Sequence, residues 1–259
     1  MLLDQFKIYN SEYEKGIKKI SVRSSYPKII KEPIDLKLEK SHGNYDLFFN
    51  RKGLLLHSVH NERDNYKVIY GYNSKGVLIA TMSLLSEKNE LLSQSEFMYD
   101  DKGRIKTEID RSFSDMDKEE ATNIIHTYAD NKEIIFITGV DGNEDEYTIY
   151  LTYDSKHRII EEKALTNEDE LNNWYKNEYD KDDNLIREIS LDKNGEPDGV
   201  YEFIQFRKGL ESGYKFKSID SNYLREYSYT FNEKGHWISQ VMMNDGLPIR
   251  FYERTIEYY

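Results

Sequence analysis

The feature that most constrains this chain is a short phrase that recurs at nearly constant spacing. "MYDDKGRIK", around Tyr99, sets an aromatic residue ahead of a polar turn and then runs into a β-prone segment. The same grammar returns as "FFNRKGLLL" at Phe49, "GYNSKGVLI" at Tyr72, "TYADNKEII" at Tyr128, "TYDSKHRII" at Tyr153, "EYDKDDNLI" at Tyr179, "QFRKGLES" at Phe206 and "TFNEKGHWI" at Phe231. The anchors lie 23 to 29 residues apart, 26 on average. A fixed period in this range is the mark of a repeat architecture.

Turn chemistry explains the spelling. Asn or Asp after the aromatic accepts hydrogen bonds from amides further along the turn, and the fourth residue after the aromatic needs positive φ. That residue is Gly53, Gly76, Gly103 or Gly235 in four copies. His157 and Asp183 replace it in two others, and both types tolerate the left-handed region. Lys132 fits poorly, and the Phe206 copy is one residue short.

Counting back by twos from the anchors gives Tyr66, Val68, Tyr70 and Tyr72, or Tyr147, Ile149, Leu151 and Tyr153, or Tyr223, Arg225, Tyr227, Tyr229 and Phe231. Period two with one apolar face predicts half-buried strands. After the turn the alternation is expected to resume as Leu78, Ala80, Met82 and Leu84, or as Trp237, Ser239, Val241 and Met243. Each repeat then reads as a hairpin, with a longer linker between hairpins. The expected fold is all-β, an array of about eight antiparallel hairpins over residues 41–259, behind an N-terminal cap of residues 1–40. About sixteen strands would make a flat sheet roughly 75 Å wide, too large an aromatic face to leave in water. The sheet is therefore expected to curl into a half-shell, an open barrel or a flattened sandwich.

Composition bounds the function. With 22 Tyr and only 4 Pro in 259 residues, the chain is apolar enough to fold and suited to extended structure. A net charge of −12 argues against a nucleic-acid backbone and favours a basic protein partner. No cysteine is present, which excludes disulfides and thiolate catalysis and fits either redox compartment. Asp4 and Lys7 interrupt the N-terminus before an apolar signal core, and no run approaches about 18 apolar residues. The expectation from this is a cytoplasmic protein with no membrane partner.

"Tyr-Asp-x-x-Gly-Arg-Ile" at Tyr99 to Ile105, "YDSKHRII" at Tyr153 and "EYDKDDNLI" at Tyr179 resemble the YD repeats of the RHS-repeat family. The closing "FNEKGHWISQVMMNDGLPIRFYERTIEYY" is similar to the end of short, free-standing bacterial YD-repeat proteins. The resemblance covers roughly residues 41–259. It implies a spiral of β-hairpins, far too short here for a closed shell, and an association with bacterial surfaces or polymorphic-toxin loci, in some cases as immunity proteins. It implies no catalytic residues and no cofactor.

Candidate chemistry is sparse. His57 and His60 form a His-x-x-His pair that would need Glu62 and a bend to share a metal, because residues three apart on a strand face opposite ways. "DKNGEPDG", Asp192 to Gly199, alternates oxygen-bearing side chains but lacks the glycine position and distal glutamate of a calcium loop, and reads as a turn. Carboxylate pairs such as Asp182 with Asp183 and Glu161 with Glu162 are expected by chance among 48 acidic residues. Gly-x-Ser-x-Gly, His-Glu-x-x-His and phosphate-binding glycine loops are all missing from the sequence, so an enzyme is not expected.

The acidic connections are more suggestive. Asp115, Asp117, Glu119 and Glu120 in one, and Glu144, Asp145 and Glu146 in the next, flank the least regular hairpin. Projecting from one edge, they would form a negative patch that steers a basic partner. The leading expectation is a non-enzymatic protein-binding scaffold, with a cytosolic immunity protein facing a toxin domain as its family-based form. The alternative is a carbohydrate-binding module with Tyr, Trp174 or Trp237 as platform. A glycosidase-like enzyme, with two carboxylates in one cleft, ranks below both.

Overall fold

The structure is a computed structural model that describes residues 16–29, 36–40, 44–61, 65–74, 78–113, 119–139, 146–204, 206–207 and 210–259. Among these residues there are strands and no helix. The first seven strands are β1 (Ile17–Ile29), β2 (Leu36–Lys40), β3 (Asn44–Phe49), β4 (Leu55–Asn61), β5 (Tyr66–Tyr72), β6 (Ile79–Ser86) and β7 (Leu91–Tyr99). The next seven are β8 (Ile105–Phe113), β9 (Glu119–Ala129), β10 (Lys132–Gly139), β11 (Tyr147–Tyr153), β12 (Ile159–Thr166), β13 (Leu171–Tyr179) and β14 (Leu185–Leu191). β15 (Pro197–Phe203), β16 (Phe206–Arg207), β17 (Leu210–Glu211), β18 (Gly213–Ser218), β19 (Asn222–Phe231), β20 (Trp237–Asn244) and β21 (Leu247–Tyr258) complete the chain.

The chain divides into two compact units: Met1–Gln94 with Ser228–Met242 and Pro248–Tyr259, and Ser95–Tyr227 with Met243–Leu247. In the first unit β3, β4, β5 and β6 form an antiparallel meander. β1 lies between the first and last strands of the array: Lys19 to Val22 pair with β3, and Ile17 to Ser25 pair with β21. An open array of eight hairpins would leave free edges at β3 and β21, and both are paired here to one strand. Ile20, Val22 and Leu47 are buried where β1 and β3 meet, with Phe49 and Leu55 beside them. In the second unit β8 to β15, then β18 and β19, follow one another as antiparallel neighbours. The irregular Phe206 copy is a separate two-strand hairpin, β16 with β17, inserted between β15 and β18.

The turns follow the spelling. Asn50, Asp100, Asp154, Asp180 and Asn232 each accept the amides two and four residues on, at 2.8 to 3.0 Å. Gly53, Gly103, Gly235, His157 and Asp183 all have φ between 60° and 84°. Gly76 lies outside the described residues. In the Tyr128 copy the left-handed residue is Asp130 (φ 51°) rather than Lys132, because Ala129 pairs directly with Lys132 and leaves a two-residue turn. The described connections Ser86–Glu90, Thr166–Glu170 and Asp192–Glu196 are as short as the turns, contrary to the expected longer linkers. Asp192 caps one with the same two-amide pattern, while Ser86 and Thr166 use a hydroxyl in the carboxylate's place.

The anchors have a second role. Tyr72, Tyr128 and Tyr179 donate their hydroxyls to the carbonyls of Leu55, Ile105 and Ile159, the second residue past the left-handed position of the preceding turn, at 2.7 to 2.8 Å. Each hairpin is thus tied to its predecessor. Burial, with the Tyr70 hydroxyl nearby, pushes the Tyr72 phenol up to about 12.

One expectation about sides is corrected. Phe48 pairs with His57 but Phe49 pairs with Leu55, so Leu56 is an extra residue, and Ala80, Ile160 and Ile186 are extra in the same way. This β-bulge past the turn reverses the alternation and bends the strand. Ile79 is therefore buried rather than Leu78 or Ala80. In the last repeat Gln240, not Ser239, reaches the Tyr229 hydroxyl, while Ser239 meets Thr230.

Two stability tests follow. A Cβ on Gly235 would meet nothing within 4 Å, so Gly235→Ala should cost about 1 kcal/mol through φ alone, measured by denaturant unfolding. A neutral result would mean that the turn is not left-handed there. Tyr72→Phe should lose about 1 kcal/mol by removing the tie to Leu55 while keeping the ring.

Candidate functional site

The strands β8 to β12 of the second unit present two contrasting faces. On the face that carries Tyr128 and Leu151, Glu133 is buried opposite both residues. His126 Nδ1 lies 2.7 Å from Glu133 Oε1, and the Tyr153 hydroxyl donates to Glu133 Oε2. Burial raises the Glu133 carboxyl, but hydrogen bonds from His126 and Tyr153 outweigh it and hold the group below its ordinary value. The Arg104 guanidinium lies 4.0 Å from the Tyr128 ring centroid, and Tyr128 is pushed up by burial and by Glu133. His126 Nε2 is buried without a hydrogen-bond partner among the described residues, so the pair lacks the hydroxyl that a Ser-His-Asp arrangement would place there. The network ties three strands together.

On β8 of the same unit, Glu108 is pushed up to about 7 by burial, with the Asp110 carboxylate adding to it. Between pH 4.5 and about 7 the folded chain keeps a proton that the unfolded chain has released, so stability falls as pH rises across that window. Glu108→Gln removes this penalty. The variant should gain in Tm over the parent as pH rises from 4.5 to 8, and a pH-independent difference would show that Glu108 ionises normally.

The opposite face is apolar and open. Ile125 stands directly opposite Phe136, and Ile134 opposite Tyr150. All four are exposed, between 38% and 47%. Their cross-strand neighbours on this face are Thr107, Thr127 and Thr148, and the first charge across the strands is Lys163, opposite Tyr150. Four large exposed apolar residues that stand opposite or two apart from one another across three strands, with only threonines as their other cross-strand neighbours, are unusual for a solvated sheet. This row was not among the candidates read from the sequence. Its signal was present as consecutive apolar residues at Ile124–Ile125, Ile134 to Ile137 and Ile149 to Leu151, where other strands alternate.

The expected acidic patch is described in part. Asp115, Asp117, Glu144 and Asp145 lie outside the described residues. Glu119 and Glu120 pair with Phe113 and Ser112 at the start of β9, and Glu146 is half-buried just before β11. Phe113 pairs with Glu119, Gly139 with Thr122 and Ile137 with Tyr147, so both acidic connections leave from one end of the β8–β11 meander.

The other candidates do not converge. His57 stacks on Phe48 and His60 on Tyr66, with ring centroids 4.3 and 4.4 Å apart, on opposite faces of β4. Glu62 lies outside the described residues. Asp192 is spent on its turn. Asp183 binds Arg158 and Lys156, Glu161 accepts the Trp174 indole at 2.8 Å, and Glu162 faces the other way, opposite Tyr175. Trp174 has Lys163 and Lys176 over its ring, and Trp237 has the Arg254 guanidinium at 3.9 Å and Tyr229 edge-on. Both indoles already carry partners.

No family model and no curated protein matches this sequence, so the likeness to YD repeats rests on the motifs themselves. Among solved structures, a porin-like protein from Bacteroides vulgatus is similar over 95% of this chain and 99% of its own, at 10% identity and a TM-score of 0.43. A second, from Bacteroides uniformis, covers 93% and 98% at 11% identity and a TM-score of 0.34. A Photorhabdus luminescens Tc holotoxin pore matches 89% of this chain with 14% of its own length, at 12% identity and a TM-score of 0.28. The cytoplasmic expectation does not stand. The criterion behind it, an apolar run long enough for a helix, is blind to a chain built of strands.

Proposed function

We propose that this chain is a non-enzymatic protein-binding scaffold whose partner seats on the apolar row of β9, β10 and β11. The observation that carries the reading is the exposure of Ile125, Ile134, Phe136 and Tyr150 as one contiguous patch. Burying such a patch against another protein recovers the free energy that exposure forfeits, roughly 25 cal/mol per Å² of apolar area. The acidic connections at one end of the same strands add charge selection, so the partner combines an apolar stripe with a basic flank. A toxin domain fits that chemistry, and the narrower immunity role rests on the YD-repeat resemblance alone. A glycan platform is less well supported, because the Trp174 and Trp237 rings are already stacked by cations.

The test compares the parent chain with Phe136→Ser in affinity capture from a host extract. Phe136 is 40% exposed, so the variant should keep its Tm while binding weakens by about 2 kcal/mol, or roughly thirtyfold. The captured protein should also leave as salt rises. Identical capture by parent and variant, or a partner indifferent to salt, would remove the proposal.

A further inference from the structure

Three strands beyond the apolar row, on the same face of the second unit, lies a recess of about 480 Å³ over β14, β15 and β18. Its walls carry Arg187, Lys215 and Lys217, with Val200 as apolar lining and Glu202 and Asp198 as the acidic members. Three cations against two carboxylates leave a net positive charge here, in a chain whose total is −12. Register explains the grouping: Glu202 stands opposite Arg187 on one side and Lys215 on the other, and Val200 stands opposite Lys217.

The cations are poorly matched. Among the described residues Arg187 reaches only Glu178, through Nη1 at 3.4 Å, and its Nε is buried with no hydrogen-bond partner there. Among the described residues, neither Lys215 nor Lys217 forms an ion pair. A planar guanidinium with a donor to spare, beside two ammonium groups, offers more donors than a single carboxylate can use, but the number that a tetrahedral dianion takes up. Ile219, 90% exposed, stands at the margin of the recess, where it would meet whatever apolar group the anion carries. We propose that this recess binds the phosphate monoester group of a small organic ligand, with Arg187, Lys215 and Lys217 on the phosphate and Val200 and Ile219 against the apolar remainder.

The test is calorimetric titration of the full chain with inorganic phosphate and with phenyl phosphate, at fixed ionic strength. Phenyl phosphate should bind with Kd below about 1 mM and more tightly than inorganic phosphate. Arg187→Gln and Lys217→Gln should each weaken it by about tenfold or more, whereas Glu202→Gln should tighten it by lifting a like-charge repulsion. Ile219→Ser should weaken phenyl phosphate and leave inorganic phosphate unchanged. All four side chains are at least partly exposed, so the variants should melt with the parent. Failure of phenyl phosphate to bind at about 10 mM, binding indifferent to these substitutions, or binding confined to vesicles of anionic lipid would each overturn the proposal.

Discussion

The fold depends on a single acceptor used again and again: the Asn or Asp oxygen that takes two amides of its own turn. Once Asn50, Asp100, Asp154, Asp180, Asp192 or Asn232 has made those bonds, the chain must reverse within five residues, and the amide of the left-handed residue returns to the Asx carbonyl. The carboxylates among them are held below their ordinary value chiefly by this pattern and by the side chain that follows, as Arg158 does for Asp154. Because the turn fixes the register of the strands it joins, an error at one turn would invert the faces of an entire hairpin.

Two smaller devices build on that turn. The bulge just after it switches which residues face the core, putting Leu55 and Ile79 inside while Leu56 is left exposed. Tyr72 and Tyr179 then donate to the carbonyls beside the bulges at Leu56 and Ile160, satisfying a group that the disrupted ladder leaves over. Where the turn shortens to Asp130–Asn131, this geometry is lost, and Tyr153 bonds the Glu133 carboxylate instead. The buried His126–Glu133–Tyr153 network is thus the local consequence of a shorter turn.

The same irregular region carries the apolar row. Strands elsewhere in the second unit put charge on this face, such as Lys176 and Glu178 on β13 or Glu202 on β15, whereas β9 and β10 put Ile125, Ile134 and Phe136 there. Structure and surface chemistry depart from the repeat at the same place. This copy still propagates the sheet, pairing with β8 and β11, so its exposed apolar side chains are not required by the pairing, which is the physical basis of the binding proposal.

Much of the local architecture was legible in the sequence. Strands, turn positions and the left-handed residues follow from short-range hydrogen bonding and from φ restrictions that each residue type carries with it, so Gly103, His157 and Asp183 are placed by residue type and spacing. The bulges were not legible, because an extra residue changes no composition and is visible only when two strands are laid side by side, as with Ile79 against Ala80. Nor were the sites. That Ile125 meets Phe136, that Glu202 stands between Arg187 and Lys215, and that β1 joins β3 to β21 are facts of register between distant segments. The sequence by itself determined how each hairpin turns, since those interactions span only a few residues; tertiary structure alone decided which side chains share a surface, since that depends on pairing between segments as far apart in the chain as Ile17 and Tyr258.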